Sequence, residues 1–339
     1  MTKVLISDRT HPVLEERLRD AGFTVSVEPD HDYDSLIRAA QGCDGLVVRS
    51  KVIIDRNFID AVLSSSPCQG EGDRPKGGGG VLKCIGRVGA GMETIDTDYA
   101  ESRGIRCLNS PEGNRDAVGE HTVGLLLCLL NNIARADAEV RQGLWRREAN
   151  RGHELGSLTV GIIGMGNMGQ AFAKRLSGFG CRIIYYDKYL DRLAGLDRLD
   201  RLAGLERLER LERVSLETLQ QEADVVSFHV PLTDETRHYL SSDFIAAMQK
   251  PFYLLNTSRG AVVDTDALAQ GLASGKVLGA GLDVLENEDM TKDNIQLSTF
   301  NFQLSTFNCV FTPHVAGWTV ESKYKLAAVL ADKMIETLQ

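Results

Sequence analysis

Three glycines in the middle of the chain have the spacing of a phosphate-binding turn. Gly164, Gly166 and Gly169 stand between an apolar run and a helical pattern. In such a turn the first glycine permits the tight bend, the second lets a pyrophosphate approach the backbone, and the third lets helix and strand pack closely. The N-terminus of the helix then attracts the phosphates. The pattern therefore predicts a dinucleotide site at the start of this helix.

An acidic residue completes the pattern. Asp187 ends the next apolar run, about 20 residues after the glycines, where a carboxylate hydrogen-bonds the ribose hydroxyls of a dinucleotide. A 2'-phosphate would be repelled by this carboxylate, so we expect NAD rather than NADP. Glycine turns also arise for steric reasons alone, but strand, helix and terminal acid in this order favour the nucleotide site.

The composition indicates a globular protein with about two domains, since 339 residues can form two separate cores. The net charge of -9 argues against a nucleic-acid or anionic-membrane partner, although a local arginine cluster could still bind a small anion. No segment reaches the roughly 18 apolar residues of a membrane span or resembles a signal peptide. The seven cysteines contain no CxxC pair, so we expect a cytoplasmic protein with reduced thiols.

Apolar runs alternate with helical patterns in residues 1–110, which predicts a parallel sheet covered on both faces by helices. Ligands gather at the carboxyl ends of the strands in such a sheet, and polar residues follow three of these strands. This half is therefore a candidate substrate domain, although a lone arginine at such a place is usually a solvated charge. The polar strand ends are Arg49 and Ser50, Arg87 to Gly91, and Asn109 to Asn114.

A helical pattern over residues 116–142 predicts one long helix that links this half to the nucleotide-binding half. The last segment, 319–338, has the pattern of a helix that could return to the first half. We therefore predict an α/β fold with two doubly wound parallel-sheet domains. The substrate domain takes residues 1–115 and 319–339, and the NAD-binding domain takes residues 116–318.

Three segments depart from this alternation. Residues 64–80 are glycine-rich and loop-like. Residues 190–213 carry leucine at every third position, a period that makes no single apolar face on an α-helix. We interpret them as an expanded repeat in a surface loop, partly helical. Residues 289–309 contain the short unit QLSTFN twice, and we find no chemistry in it.

Three motifs after the glycine turn resemble those of the D-isomer-specific 2-hydroxyacid dehydrogenases. They are LLNTSRGAVVD at 254–264, GAGLDVLENE at 279–288 and FTPHVAGWT at 311–319. The resemblance covers nearly the whole chain apart from the three irregular segments. It implies a Rossmann NAD domain inserted in a flavodoxin-like substrate domain, NAD as cofactor, a small anionic 2-hydroxy or 2-keto acid as substrate, and a homodimer.

The resemblance implies catalytic roles for three residues. Arg259 would bind the substrate carboxylate and polarise the carbonyl, because a guanidinium offers a planar fork of donors and stays charged at any working pH. His314 would be the general acid and base that exchanges the proton of the substrate hydroxyl. Glu288 would hydrogen-bond His314 and orient its ring. Taken singly, each residue could be structural, but their order behind a dinucleotide turn favours the catalytic assignment.

The resemblance also implies cofactor contacts in the phosphate turn and at neighbouring strand ends. The expected set is Gly164, Gly166, Asn167, Met168, Gly169, Asp187, His229, Val230, Pro231, Thr236, Thr257, Ser258 and Asp283. Within this set, Asp283 would contact the nicotinamide carboxamide. His121 has no second histidine at metal-ligand spacing, so we expect it to be structural and the site to hold no metal.

Within the family, the first half of the chain resembles the phosphoglycerate dehydrogenases in GLVVRS, IGRVGAGMETID and NSPEGNRDAVGEHT. That resemblance implies 3-phosphoglycerate as substrate, and the residues expected around its phosphate and carboxylate are Arg49, Ser50, Arg87, Gly89 and Asn114. Trp318 departs from the pattern, because phosphoglycerate enzymes often have a small residue there, and its bulk favours another acid. The alternatives are a reductase of glyoxylate, hydroxypyruvate or another 2-keto acid and, in a different class, an NAD-sensing, corepressor-like binding protein.

Overall fold

The chain forms two compact units. The computed structural model describes residues 1–64, 82–190, 211–288 and 308–339. Unit 1 contains Met1–Asn114 with Trp318–Gln339, and unit 2 contains Arg115–Gly317. The predicted domain boundaries fall within one residue of the boundaries of these units. Most of the three irregular segments lies outside the described residues, and Ser64, the first residue of the predicted glycine-rich loop, ends a helix.

Short strands and helices alternate in the first segment of unit 1. The strands are β1 (Lys3–Ile6), β2 (Thr24–Val27), β3 (Gly45–Val48), β4 (Cys84–Arg87) and β5 (Arg106–Asn109). The helices are α1 (Val13–Asp20), α2 (Tyr33–Ala40), α3 (Arg56–Ser64) and α4 (Thr97–Ser102). The strands pair in parallel in the order β2, β1, β3, β4, β5, which confirms the doubly wound sheet. The order reverses between β1 and β3, so ligand binding is expected at the carboxyl ends of these two strands.

The larger sheet belongs to unit 2. Its strands are β6 (Thr159–Ile163), β7 (Arg182–Tyr186), β8 (Leu211–Arg213), β9 (Val225–Phe228), β10 (Phe252–Asn256), β11 (Val277–Leu282) and β12 (Cys309–Phe311). Its helices are α5 (Arg115–Leu130), α6 (Ile133–Arg141), α7 (Asn167–Leu176), α8 (Leu216–Glu222), α9 (Ser242–Ala247) and α10 (Thr265–Ala273). The strands run in parallel in the order β12, β11, β10, β9, β6, β7, β8, which confirms the predicted Rossmann fold. Apolar clusters cover both faces of each sheet, as parallel sheets require.

The C-terminal helix α11 (Val320–Leu338) packs on the sheet of unit 1, as predicted. Glycines in β3 and β4 make room for it. A Cβ atom on Gly45 would lie 3.1 Å from Met334 Cε, and one on Gly86 would lie 3.0 Å from Met334 Sδ. The helix therefore completes one apolar face of this sheet.

The predicted single helix over 116–142 is wrong, because the structure has two helices there, α5 and α6, which are bent by 59°. Asn132 lies between them with a φ of 52°, a left-handed conformation that asparagine adopts more readily than most residues. No glycine or proline marks the break, so the helical pattern extends across it. In the described part of the chain no single helix is long and apolar enough to span a membrane, and only this bent pair meets the criteria together.

The end of the leucine repeat is also not the predicted loop or helix. Leu211–Arg213 form β8, an edge strand that pairs in parallel with β7. Arg182 of β7 forms ion pairs with Glu212 of β8 at 2.7 Å and with Glu222 of α8. An edge strand leaves one side unpaired, so the charged side chains of Glu212 and Arg213 are accommodated there.

Candidate active site

The glycine turn connects β6 to α7 at the point where the strand order of unit 2 reverses. Gly164 has a φ of 92°, and a Cβ atom there would lie 2.5 Å from the carbonyl oxygen of His229. A Cβ atom on Gly169 would lie 2.1 Å from the carbonyl oxygen of Gly164. A Cβ atom on Gly166 would meet nothing within 4 Å. Two of the glycines are thus required by close backbone contacts, and the third leaves open space where a pyrophosphate is expected.

The start of α7 fits a phosphate group. Asn167, Met168 and Gly169 form its first turn, and the N-cap residue is Gly166, which has no side chain to accept hydrogen bonds from their amides. A helix N-terminus carries partial positive charge and donor groups, so an anion is favoured there. The residues present therefore fit a dinucleotide, and the individual contacts stay predictions.

Asp187 lies at the end of β7, beside the same turn. Its Oδ2 accepts a hydrogen bond from the amide of Met165 at 2.8 Å, and its Oδ1 accepts one from the amide of Tyr189 at 2.9 Å. Each carboxylate oxygen accepts up to two hydrogen bonds, so capacity remains for ribose hydroxyls. The carboxylate thus also anchors the glycine turn to β7, a role that its sequence position did not indicate.

His229 follows β9 on the other side of the turn and is only 9% exposed. Its Nε2 lies 2.8 Å from Ser227 Oγ, whereas Nδ1 has no hydrogen-bond partner among the residues that the structure describes. Burial lowers the pKa of His229 to about 3, so the ring is neutral near pH 7. Buried polar atoms are nearly always bonded, and this one supports a ligand contact at the strand end.

The hydroxyl of Thr236 stabilises the loop after His229 through hydrogen bonds. The hydroxyl of Thr236 donates to the carbonyl of Pro231 at 2.5 Å and accepts from the amide of Thr233 at 2.8 Å. Val230 lies against the glycine turn, since a Cβ atom on Gly164 would be 2.9 Å from Val230 Cγ1. Val230 therefore lines the turn, and Thr236 shapes the loop around it.

A buried carboxylate holds the segment that carries His314. Asp283 is 1% exposed, and its two oxygens accept hydrogen bonds from the amides of Val315 and Ala316, each at 2.9 Å. Its carbonyl accepts one from the amide of His314 at 2.8 Å. His314 has a φ of 56°, a left-handed conformation that is unfavourable for most residues with a side chain. Three successive amides bound to one residue hold the backbone in that conformation. The predicted contact of Asp283 with the nicotinamide stays a prediction.

Glu288 and His314 are in direct contact although they are 26 positions apart in the chain. His314 Nδ1 lies 2.6 Å from Glu288 Oε1, and Glu288 Oε2 accepts a hydrogen bond from the amide of Leu285 at 3.1 Å. A neutral ring that donates through Nδ1 keeps a lone pair on Nε2, which can take a proton from a hydroxyl. The doubly protonated ring can return that proton. The pair therefore has the geometry of an oriented general acid and base.

Arg259 lies beside the segment that leads to Glu288. It precedes the short 3-10 helix Gly260–Val262, and a Cβ atom on Gly260 would lie only 1.9 Å from the carbonyl oxygen of Leu285. The loop of Arg259 and the segment from Leu285 to Glu288 are therefore in backbone contact, which no larger residue than glycine permits. The structure thus brings the segments of all three predicted catalytic residues together.

The loop of Arg259 is fixed by Asn256, the fully buried last residue of β10. Asn256 Nδ2 donates to the carbonyl of Arg259 at 2.9 Å, and its Oδ1 accepts from the hydroxyl of Ser258 at 2.7 Å. Thr257 Oγ1 lies 3.2 Å from Thr122 Oγ1 in α5. Thr257 and Ser258 are therefore held in place by the protein, whatever they bind.

The sequence did not predict a hydrogen-bond network that contacts the His314 segment. The hydroxyl of Thr312 donates to Asp283 Oδ1 at 2.6 Å, and its oxygen lies 2.9 Å from Nε2 of His121. The hydroxyl has one hydrogen, which it gives to Asp283, so His121 donates through Nε2. The available signal was the pair His121 and Thr122 inside an otherwise apolar helix. These neighbours contact the His314 segment and the Arg259 loop respectively.

The predicted substrate residues of unit 1 follow its strands. Arg49 Cζ lies 5.0 Å from the centroid of the Trp318 ring, and the amide of Arg49 donates to Asp8 Oδ2 at 2.8 Å. Arg87 donates through Nε to the carbonyl of Arg49 at 3.3 Å and through Nη1 to the carbonyl of Gly91. Arg87 therefore holds the backbone of both strand ends, a role that its sequence position did not indicate.

The other three substrate candidates differ in their surroundings. Ser50 is exposed. Gly89 lies under the guanidinium of Arg87, where a Cβ atom would be 3.0 Å from Nη1. Asn114, the last residue of this segment of unit 1, has a buried Oδ1 for which the described ranges offer no hydrogen-bond partner. Their contacts with a substrate stay predictions.

The chain is similar to known dehydrogenases over nearly its whole length. Residues 123–316 match the family model described as D-isomer specific 2-hydroxyacid dehydrogenase, NAD binding domain. Hydroxypyruvate reductase of Thermotoga maritima is 36% identical over 315 residues, which cover 93% of this chain and 91% of that protein. D-3-phosphoglycerate dehydrogenase of Methanocaldococcus jannaschii is 32% identical over 100% of this chain and 58% of its own length. The structure of D-lactate dehydrogenase from Aquifex aeolicus with NAD and lactic acid superposes with a TM-score of 0.72 at 27% identity, covering 98% of this chain and 93% of that one.

The hydrogen bonds of Asp283 should contribute measurably to stability. Asp283→Asn is expected to lower the free energy of unfolding by about 1–3 kcal/mol, because its amide nitrogen would face a backbone amide in place of an acceptor. Urea denaturation measures the change. The same substitution at the exposed Asp234 should alter stability by less than about 0.5 kcal/mol. Equal effects at the two positions would contradict the role of Asp283.

His229 should make stability depend on pH. Because burial lowers its folded-state pKa to about 3, the unfolded chain binds a proton below the ordinary histidine value of about 6.5 and the folded protein does not. This contribution is complete above about pH 6.5 and is lost as the pH falls toward about 3. The urea midpoint of His229→Gln should therefore fall less between pH 7 and pH 5 than that of the unmodified protein. Parallel curves would rule out a buried neutral ring.

Proposed function

The chain belongs to the D-isomer-specific 2-hydroxyacid dehydrogenases, and from this membership we propose that it oxidises 3-phosphoglycerate to 3-phosphohydroxypyruvate in serine biosynthesis. It is an NAD-dependent D-2-hydroxyacid dehydrogenase. NAD, when bound, would accept the hydride that leaves C2 of the hydroxy acid. The observation that carries the dehydrogenase chemistry of this proposal is the 2.6 Å contact between His314 Nδ1 and Glu288 Oε1, which leaves Nε2 for the substrate.

Three side chains divide the work in this proposal. His314 takes the proton of the C2 hydroxyl through Nε2 and returns it in the reverse reaction. Glu288 keeps the ring oriented, because it accepts a hydrogen bond from Nδ1 in both the neutral and the charged form of His314. Arg259 binds the substrate carboxylate, for which its planar fork of donors is suited. The backbone contact of Gly260 with Leu285 supports this division, since it keeps the Arg259 loop beside the Glu288 segment.

The phosphorylated substrate is supported by similarity and by charge. The similarity to D-3-phosphoglycerate dehydrogenase extends over the whole chain. Arg49 is assigned the phosphate, and Ser50, Gly89 and Asn114 are assigned the rest of the anionic substrate. We assign Arg87 a structural role, because its guanidinium donates hydrogen bonds to the backbone carbonyls of Arg49 and Gly91.

A second candidate is the reduction of hydroxypyruvate or glyoxylate. The chain is 36% identical to hydroxypyruvate reductase of Thermotoga maritima and spans 91% of that protein, whereas it spans 58% of the phosphoglycerate relative. The same three residues would serve this reaction, with His314 giving its proton to the carbonyl oxygen. Turnover in either direction would exclude the corepressor-like alternative.

Initial rates test the substrate directly. We expect NADH formation from NAD and 3-phosphoglycerate to exceed, in kcat/KM, the rates of NADH consumption with glyoxylate and with hydroxypyruvate. If only the unphosphorylated keto acids react, the substrate proposal is wrong, and the assigned chemistry of Arg259, Glu288 and His314 is retained.

The role of His314 is tested by a pair of matched variants. His314 and His238 both have a left-handed φ, of 56° and 52°, and asparagine tolerates that conformation. His314→Asn is expected to lower kcat by about 10² to 10⁴ fold, the usual loss of a positioned acid or base, with NAD binding retained in fluorescence titration. His238→Asn should keep kcat within a few fold. Unchanged kcat in His314→Asn would remove the assignment.

We also infer a homodimer that associates through α6. This helix has no buried residue, and its Ile133 and Val140 are 53% and 52% exposed, as is Trp145, four residues after the helix, at 78%. Clustered exposed apolar side chains of this kind mark association surfaces. The unmodified protein should sediment with the mass of two chains and Val140→Asp with the mass of one. A single-chain mass for the unmodified protein would contradict this interface.

The absence of a CxxC pair among the seven cysteines supports a cytoplasmic location.

A further inference from the structure

We propose that Trp318 is a positioning residue that holds the guanidinium of Arg49 as an anion-binding group at the carboxyl edge of the unit 1 sheet. Through Arg49, Trp318 would select 2-hydroxy acids that carry a second anionic group. The substrate part of this inference rests on the proposed function. The anion-binding part rests on unit 1 alone, since Arg49 and Trp318 both belong to it.

The contact is a cation–π pair. Arg49 Cζ lies 5.0 Å from the centroid of the Trp318 ring, within the distance at which a guanidinium is attracted by an indole face. A guanidinium stacks through its flat face and donates hydrogen bonds through its edges. The indole therefore occupies the surface of Arg49 that an anion does not use, and it orients the donors that an anion does use.

The backbone of Arg49 is fixed as well. Its amide donates to Asp8 Oδ2 at 2.8 Å, and its carbonyl accepts from Arg87 Nε at 3.3 Å. Asp8 follows β1 and Arg49 follows β3, the two strands between which the order of the sheet reverses. This edge is where an open parallel sheet binds ligands. The stack on Trp318 therefore restrains the remaining freedom of the Arg49 side chain.

The neighbouring cations already have partners. Arg9 and Lys51 both form ion pairs with Asp30, each at 3.5 Å. Arg87 donates to backbone carbonyls. Within the described ranges no ion pair involves Arg49, and the closest side-chain hydrogen bond runs from its Nη1 to the carbonyl of Arg9 at 3.5 Å. The guanidinium of Arg49 therefore has donors at this edge that remain available to a ligand.

The contact with Arg49 changes what Trp318 implies about the substrate. In the sequence, the bulk of Trp318 favours an unphosphorylated acid. In the structure, its ring is 66% exposed and stacks on the one side chain assigned to the phosphate. An aromatic face beside a guanidinium adds no charge that would repel an anion. Trp318 thus supports an anionic tail on the substrate.

Tryptophan fluorescence tests the anion site without turnover. The chain has two tryptophans, Trp145 and Trp318, so Trp145→Phe leaves only the ring that stacks on Arg49. Titration of this variant with inorganic phosphate, at constant ionic strength and without NAD, should change the emission in a saturable manner. Adding Arg49→Met should abolish the change. An emission that does not respond to phosphate, or that responds equally without Arg49, would overturn the proposal.

Substitutions of Trp318 separate its aromatic face from its bulk. Trp318→Leu and Trp318→Ala should raise the KM for 3-phosphoglycerate about two- to fivefold, the range of an exposed cation–π contact, with smaller effect in Trp318→Phe. The kcat and the KM for glyoxylate should not change. Val320→Ala, at the 86% exposed first position of α11, controls for the start of the helix. A leucine variant that matches the unmodified protein, or an equal effect of Val320→Ala, would refute the positioning role.

Failure of the substrate proposal and failure of this inference give different results. If 3-phosphoglycerate does not react but phosphate still changes the Trp318 emission through Arg49, the anion site stands and the substrate assignment falls. If 3-phosphoglycerate reacts but the Trp318 variants keep its KM, the substrate assignment stands and the role of Trp318 falls.

Discussion

The buried carboxylate of Asp283 is the constraint on which the candidate active site depends. His314 adopts a backbone conformation that costs about 1–3 kcal/mol for a residue with a side chain, and only its surroundings can maintain it. Asp283 provides them through bonds to the amides of three successive residues, in a place that water does not reach. The low polarity of that place strengthens each bond. The backbone of His314 is therefore fixed before any ligand binds, and the contact of Nδ1 with Glu288 orients the ring.

Close backbone contacts at glycines bring the rest of the site together. Gly164 allows the end of β6 to touch the carbonyl of His229, and Gly260 allows the Arg259 loop to touch Leu285. In both places a single methyl group would clash with a carbonyl oxygen. The site is thus assembled from loops whose separation is set by the backbone, and side chains such as Asn256 and Thr236 fix the loops once they are in contact.

The sequence predicts those features of the structure that are determined by residues close together in the chain. The glycine turn and the position of Asp187 could be predicted, because their spacing follows from one strand, one turn and one helix. The break at Asn132 could not, because asparagine is compatible with both a helix and a left-handed bend. The roles of Asp283 and Arg87 could not be read either, since they depend on where a side chain points after distant segments have met. The resemblance supplied the pairing of Glu288 with His314, which no local pattern encodes.

The placement of α11 in unit 1 has a consequence for the order in which the protein is made. A ribosome completes all five strands of the first sheet and then the whole of unit 2 before it reaches Val320. Until then the apolar face of β3 and β4 lacks the cover that Met334 and the rest of α11 provide. Unit 2 contains its entire sheet in one continuous segment and can fold first, although it is encoded second. The first sheet therefore stays incomplete while unit 2 is synthesised, a stage at which exposed apolar strands are prone to aggregate.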